Sequence, residues 1–346
     1  MRRLPVVFAT LVTAAALLLA GCTTAAQPAP PAPGGADQGP LIVYSGRNEN
    51  LIGPLIERFR EDTGLAVEVR YGDTAELAAT ILEEGDRSPA DVYLAQDAGA
   101  LGALAAAGRL APLPDEILQR VDARFRDPDG RWVGLSGRAR VVVYHTLTLE
   151  PEDLPDSIYG FTDPAWRGRI GWAPTNGSFQ AFVTALRLTD GEEAARDWLE
   201  GIQANEPRVY ANNTAIVQAV GAGEIEVGLV NHYYLYRFLA EEGEDFPARN
   251  YTPRAGGAGA MMNVAGAGVL GTSTRREAAE AFLRYMLSED AQRHLSEETF
   301  EYPLASGVAP HPLVTPLEEL AVPDIDLGSL ADLEETLRLL QGVGVL

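Results

Sequence analysis

The chain contains no lysine: all 27 of its basic residues are arginine. Against them stand 49 acidic residues, giving a formal net charge of -22. No basic stripe offsets this balance. It excludes nucleic acid as a partner, because phosphate backbones are held by clustered cations. Cysteine is nearly absent too. Cys22 stands alone, so no disulfide can form within the chain. Internal repeats and coiled-coil heptads are missing. No glycine-rich dinucleotide fingerprint follows the first strand, and there is no glycine-lysine phosphate loop and no serine elbow. Scattered serine, histidine and aspartate residues have nothing to anchor them as a triad. The protein is therefore expected not to be an enzyme.

Long apolar runs are confined to the start. Arg2 and Arg3 precede an apolar segment, Leu4 to Leu19, followed by small residues. This is an export signal, residues 1–21, too short and wrongly flanked for a membrane span. It ends in Leu19-Ala20-Gly21-Cys22, which resembles the bacterial lipoprotein signal, and the resemblance implies lipidation of Cys22. Without residues 1–21 the chain is more acidic by two charges. Residues 22–40, rich in Ala, Pro, Gly, Thr and Gln, cannot build a core and are expected to form a flexible tether. The remainder is long enough for two domains.

From Leu41 onward strands alternate with helices. Leu41 to Tyr44, Leu65 to Tyr71 and Ala90 to Ala95 are predicted strands, each followed by a helical pattern. Thr74 opens the second helix and Asp97 caps the third. A mainly parallel sheet with helices on both faces follows, its ligand edge at the loops 45–50, 71–74 and 95–98. Trp132 to Leu135 is a short strand. Arg140 to Tyr144 is a strongly apolar one and the first crossing between domains. A second unit repeats the pattern from Arg169. Gly256 to Gly271 returns as a strand to the first domain. The tail from Asp324 to Leu340 holds a leucine-rich helix.

The decisive stretch is Asn231 to Tyr236, at a strand-to-helix corner. Ile225 to Val230 form a buried strand, and Leu235, Phe238 and Leu239 recur at helical spacing behind it. Asn231 is a natural N-cap. Tyr233 and Tyr234 then sit in the first turn, where unpaired N–H groups favour an anion. They are either ordinary aromatic packing or a pair of phenolates whose protons a cation displaces. Asn176-Gly177-Ser178 and Asn213-Thr214 each open a helix. They act as caps, as an anion cradle, or as both. Arg138 or Arg140 offers a fork to an anion, or pairs with an acidic side chain. His232 turns away from the site, and Tyr236 is wall or packing.

Several spaced segments carry a family resemblance. They are Val43-Tyr44-Ser45-Gly46, Ser88 to Val92, Leu135 to Tyr144, Gly171 to Thr175, Asn231 to Tyr234, and Glu301 to Leu304. In this order the chain resembles the solute-binding proteins of bacterial ABC importers, and among them the periplasmic ferric-ion-binding proteins, or bacterial transferrins. The resemblance spans nearly everything after Leu41. It implies an α/β, two-domain periplasmic-binding-protein fold (Venus flytrap, type II) with two crossing strands at the hinge. It implies Fe³⁺ captured with a synergistic anion, carbonate, bicarbonate or phosphate, and delivered to an ABC permease, without catalysis. Tyr233 and Tyr234 match the family's paired tyrosine ligands. Asn48 and Gln96 stand where the family's histidine and glutamate stand, and Glu49 and Asp97 are their charged neighbours. Asn176, Gly177, Ser178 and Asn213 with Thr214 match the family's anion side, and Asn231 and Arg138 are further candidates to hold the anion. Fe³⁺ is a hard cation and suits oxygen donors of this kind.

The expected organisation is a first lobe of residues 41–139 and 264–315 and a second lobe of 140–263 and 316–346. We expect a lipid-anchored monomer on the outer face of the cytoplasmic membrane. The alternatives keep the class and change the cargo to thiamine, a polyamine or another small solute, or make the protein a ligand-sensing partner of a membrane receptor.

Overall fold

The computed structural model describes residues 39–346. The export signal, the Cys22 lipidation site and the tether up to residue 38 lie outside the described residues. Among the described residues no helix is long and apolar enough to cross a membrane.

The chain opens with β1 (Leu41–Ser45), α1 (Glu49–Thr63), β2 (Val67–Tyr71), α2 (Thr74–Glu84), β3 (Val92–Ala95), α3 (Ala98–Ala106) and α4 (Asp115–Leu118). β4 (Val133–His145) follows, then β5 (Ile170–Trp172), α5 (Gly177–Asp190), α6 (Glu192–Ala204), β6 (Arg208–Val209), α7 (Asn213–Gly221), β7 (Val227–Asn231), α8 (Tyr233–Glu242) and β8 (Ala248–Tyr251). The last elements are β9 (Met262–Val269), α9 (Arg276–Met286), α10 (Glu289–Thr299), β10 (Tyr302–Pro303) and α11 (Leu333–Gly342).

The strands lie in the order β2-β1-β3-β9-β4-β7-β5-β6. β1 runs parallel to β2 and β3, and β5 runs parallel to β6 and β7. The pairing turns antiparallel at the centre, where β9 lies between β3 and β4 and where β4 meets β7 and β8. The sheet is thus mixed rather than mainly parallel, because the returning strands run back against the others.

β4 is the frame. Its 13 residues are all buried. Its first half pairs with β9, Gly137 opposite Val264, and its second half pairs with β7, Arg140 opposite Asn231. The sequence suggests two separate strands here, because Gly134, Ser136, Gly137 and Arg138 interrupt the apolar run. In the fold the interruption is a place of close packing. A Cβ on Gly134 would lie 2.6 Å from the Phe125 carbonyl oxygen, and one on Gly137 would lie 2.5 Å from the Met262 sulfur. The chain crosses between the two halves of the sheet a second time between β8 and β9.

The helices cover both halves. α1 buries Ile52, Leu55, Ile56 and Phe59, and Phe59 meets Phe282 of α9 edge to face at 5.2 Å. On the other half, Phe179, Phe182 and Trp198 lock α5 to α6. Such aromatic pairs contribute about 0.5–1.5 kcal/mol beyond simple burial.

The tail differs from the single helix its leucines suggest. A 3₁₀ turn, Leu327–Ala331, packs on α3, and α11 packs on α5. From the sequence, residues 316–346 fall to the second lobe, whereas the tail here rests on both halves. Glycines allow it. A Cβ on Gly99 would lie 2.7 Å from the Leu330 carbonyl oxygen, and one on Gly102 would collide with the Gly328 main chain. Gly102→Leu is therefore expected to lower stability by about 1–3 kcal/mol, the usual cost of overpacking. A urea midpoint equal to that of the parent would show that the tail gives way freely.

Candidate functional site

The carboxyl ends of the strands from both halves face one cleft of about 440 Å³. On one side it is lined by Gly46 after β1, Asp73 to Ala75 after β2, and Gln96 and Asp97 after β3. On the other side stand Asn176, Gly177 and Ser178 at the start of α5, and Asn231, Tyr233 and Tyr234 after β7. Arg138 and Arg140 of β4 form the floor between them.

The tyrosine corner is held by a histidine. The five residues of β7 are buried, and α8 starts directly after His232. Asn231 is not the side-chain cap expected of it. Its amide oxygen faces Arg140 Nη1 at 3.5 Å, and its N–H donates to Asn213 Oδ1 at 3.2 Å. His232 instead accepts the Ala139 N–H on Nδ1 at 3.1 Å. A backbone N–H can only donate, so the ring proton sits on Nε2 and is donated to the Phe300 carbonyl at 2.8 Å. Burial pushes the ring's pKa down to about 4. Both nitrogens are committed, so His232 points away from the cleft.

Tyr233 and Tyr234 stack with centroids 4.3 Å apart and planes at 28°. The Arg237 guanidinium lies over both rings. Burial, and then the neighbouring Tyr234, push the Tyr233 phenol well above its ordinary value of 10.0. An empty cleft therefore holds a neutral phenol there. Only a strong cation brought against the oxygen would displace its proton.

The helix starts opposite are braced together. Asn176 caps α5 by accepting the Ser178 N–H at 3.1 Å. Asn213 donates to Asn176 Oδ1 at 3.1 Å and to Ser178 Oγ at 3.2 Å. Asn213 is the first residue of α7, and Asn212 caps that helix. It lies behind the lining rather than in it. Gly177 has an open approach, with nothing within 4 Å of where a Cβ would stand.

Neither floor arginine has an acidic side chain in direct contact. Among the described residues neither Arg138 nor Arg140 belongs to an ion pair within 4.0 Å. Arg138 donates to the main-chain carbonyl of Gln96, and its Nε is buried without a partner. Arg140 donates to the Leu229 carbonyl at 2.8 Å and lies over Phe179 and Phe182. Burial draws its pKa down to about 9. Two desolvated guanidinium groups at a cleft floor favour an anion.

Two predicted residues lie elsewhere. Asn48 is exposed and uses its amide oxygen to cap α1, accepting the Asn50 N–H at 2.9 Å. Glu49 lines a separate shallow cavity with Glu57, Arg60 and Tyr71. Neither lines the cleft, because the turn after β1 directs both to the start of α1. Gln96 and Asp97 do line it. Asp97 Oδ1 also caps α3 through the Ala100 N–H at 3.1 Å. Several lining residues were not singled out in the sequence, among them Asp73, Met261, Leu330 and Leu333. Asp73 caps α2 in place of Thr74, and it falls in the 71–74 loop, which the strand-end rule puts on this edge. Met261 stands just before β9, and Leu330 and Leu333 come from the tail, where nothing local signals a cleft. Among the described residues no three His, Cys, Asp or Glu side chains cluster for a metal.

Comparison with known proteins decides the family. Residues 87–323 match the model of the bacterial extracellular solute-binding proteins. The chain is 35% identical over 331 residues to the major ferric iron-binding protein of Neisseria meningitidis, covering 95% of this chain and 97% of that one. This chain is a bacterial solute-binding protein of the ferric-ion-binding family. Solved structures agree with this solute-binding protein's fold. Iron-bound HitA from Pseudomonas aeruginosa superposes with a TM-score of 0.81 at 36% identity, over 88% of this chain and 99% of that one. Trichodesmium IdiA (FutA), in complex with iron and citrate, gives a TM-score of 0.79 at 30% identity, over 88% and 99%. The mixed sheet flanked by helices is the bilobed type II periplasmic-binding-protein fold. Members of this family carry solutes and are not enzymes.

Proposed function

We propose that this protein captures Fe³⁺ outside the cytoplasm and hands it to an ABC importer through a membrane permease. The observation that carries the reading is the stacked pair Tyr233–Tyr234 at the edge of a cleft floored by two arginines that belong to no ion pair within 4.0 Å among the described residues. The phenols supply hard, anionic oxygen once the ion displaces their protons. The ion and two phenolates together keep one positive charge, and Arg138 and Arg140 add to it. An exogenous anion completes that balance. Carbonate, bicarbonate or phosphate fits beside Asn176, Gly177 and Ser178, with Asn213 bracing them. Gln96 and Asp97 stand on the opposite wall of the cleft.

The two lobes act as jaws about β4 and the β8–β9 crossing. Cargo stabilises the closed form only as far as it binds that form better than the open one. The relatives named as periplasmic support an extracytoplasmic site of action. With Cys22 lipidated, the protein works as a monomer tethered to the membrane's outer face.

The test is a visible spectrum of the purified protein titrated with ferric citrate in phosphate or bicarbonate buffer. A phenolate-to-iron charge-transfer band is expected. Tyr233→Phe and Tyr234→Phe should each weaken binding by more than the ~10–100-fold typical of a residue that merely supports a metal ligand. The double variant should show no band. An unchanged band in the double variant would exclude the pair as ligands. No band and no thermal stabilisation by iron in the parent would point to another cargo.

A further inference from the structure

Arg47, in the turn after β1, is 2% exposed. Its guanidinium grips two groups at once. Nη1 and Nη2 donate to the carboxylate of Glu301 at 3.1 Å, and Nη1 also donates to Gln96 Oε1 at 2.9 Å. Arginine carries donors only, so the Gln96 atom it touches must be the oxygen. The amide is held in one orientation. The main chain of Gln96 is fixed as well, with its N–H on Thr74 Oγ1 at 3.2 Å and its carbonyl taken by Arg138. What remains of the side chain is Nε2. It has no hydrogen-bond partner among the described residues, and Gln96 lines the cleft.

We propose that Arg47 is a specificity-determining residue. By committing the Gln96 oxygen it presents the amide N–H₂ to the cleft, so this wall meets the cargo as a hydrogen-bond donor and not as a metal ligand. An amide oxygen already shared with a guanidinium is a poor partner for a trivalent cation, which would sit beside a second positive charge. An N–H₂ group suits an oxyanion carried with the ion. The Gln96 amide then meets the anion from the wall opposite Asn176, Gly177 and Ser178, the tyrosines grip the metal, and loading depends on both arriving together. This inference rests on the reading of Tyr233 and Tyr234 as the iron-holding pair.

The experiment follows the charge-transfer band and the iron affinity over a phosphate series. Gln96→Leu is expected to leave the band at the parent's wavelength and to weaken binding about 10-fold at low phosphate, as loss of a supporting contact does. High phosphate should restore it. Gln96→Glu should abolish the benefit of phosphate, since a carboxylate repels the anion. Arg47→Met combined with Glu301→Gln leaves no buried charge unpaired and should behave as Gln96→Leu does. A shifted band in Gln96→Leu would make the side chain a metal ligand and overturn the proposal. So would iron loss that phosphate cannot restore, or indifference to phosphate in every variant. Should the combined variant fail to fold, the two Gln96 variants still decide. Absence of the band in the parent would instead remove the tyrosine reading.

Discussion

Lowering the pH from about 7.5 to about 6.5 is expected to weaken iron binding about 100-fold, because two phenols must each surrender a proton to the solvent when the ion enters. The Tyr233 phenol starts above its ordinary value through burial, so it is fully protonated in the empty cleft across this range. Each proton released upon binding contributes about a tenfold loss of affinity per pH unit. Competition against a chelator of known proton affinity gives the slope. A slope of one proton would leave a single phenolate on the metal. A flat line would remove phenolate coordination altogether.

Glu301→Ala is expected to cost about 3–5 kcal/mol of stability, the range for removing one partner of a buried ion pair. Arg47 and Glu301 are both 1% exposed at the side chain, and Ser136 Oγ donates to the same carboxylate. Burial pushes the Glu301 pKa up, yet the charges of Arg47 and Arg138 and the hydrogen bonds from Ser136 and Arg47 outweigh it and hold it below 4.5. A carboxyl held low in the fold stabilises above its unfolded value and loses that contribution as the pH falls through its folded one. His232 acts earlier. Its pKa falls from 6.5 to about 4 on folding, so the unfolded chain takes up a proton that the fold refuses. Stability should decline from about pH 6.5 toward 4 on account of His232, and further below about 4.5 on account of Glu301. Urea midpoints across this range check both. Glu301→Ala within about 0.5 kcal/mol of the parent would mean that the pair contributes nothing net. In the combined Arg47→Met, Glu301→Gln variant much of the lost stability should return.

Much of this was legible in the sequence for a physical reason. Alternating short apolar runs and helical patterns marked the strands whose ends make the cleft, and the corner at Asn231 to Tyr234 falls at one of them. What escaped depends on contacts between distant residues. Asn48 follows a strand like the others, but its amide is consumed by capping α1. Nothing near Asn231 announces that Asn213 and Arg140 take its polar groups, leaving His232 to fix the corner. β4 looked like two strands because its buried polar residues find partners 89 or more positions away, Ser136 on Glu301 and Arg140 on the main chain of Leu229 at 2.8 Å. The break at Asp332 is invisible in the leucine spacing, since it exists to let one segment touch α3 and the next α5.

The sharing of β4 and the placement of the tail bear on the order in which the chain acquires its shape. A chain emerging from its amino end presents β1, β2 and β3 first, but their central neighbour β9 comes some 170 residues after β3. Glu301, which neutralises Arg47, is later still, and the Thr184–Thr336 contact that seats α11 awaits the last residues. Long-range pairing of this kind delays folding. Nearly the whole polypeptide must therefore be synthesised before a complete core exists. That late closure keeps most of the chain extended until its last elements arrive.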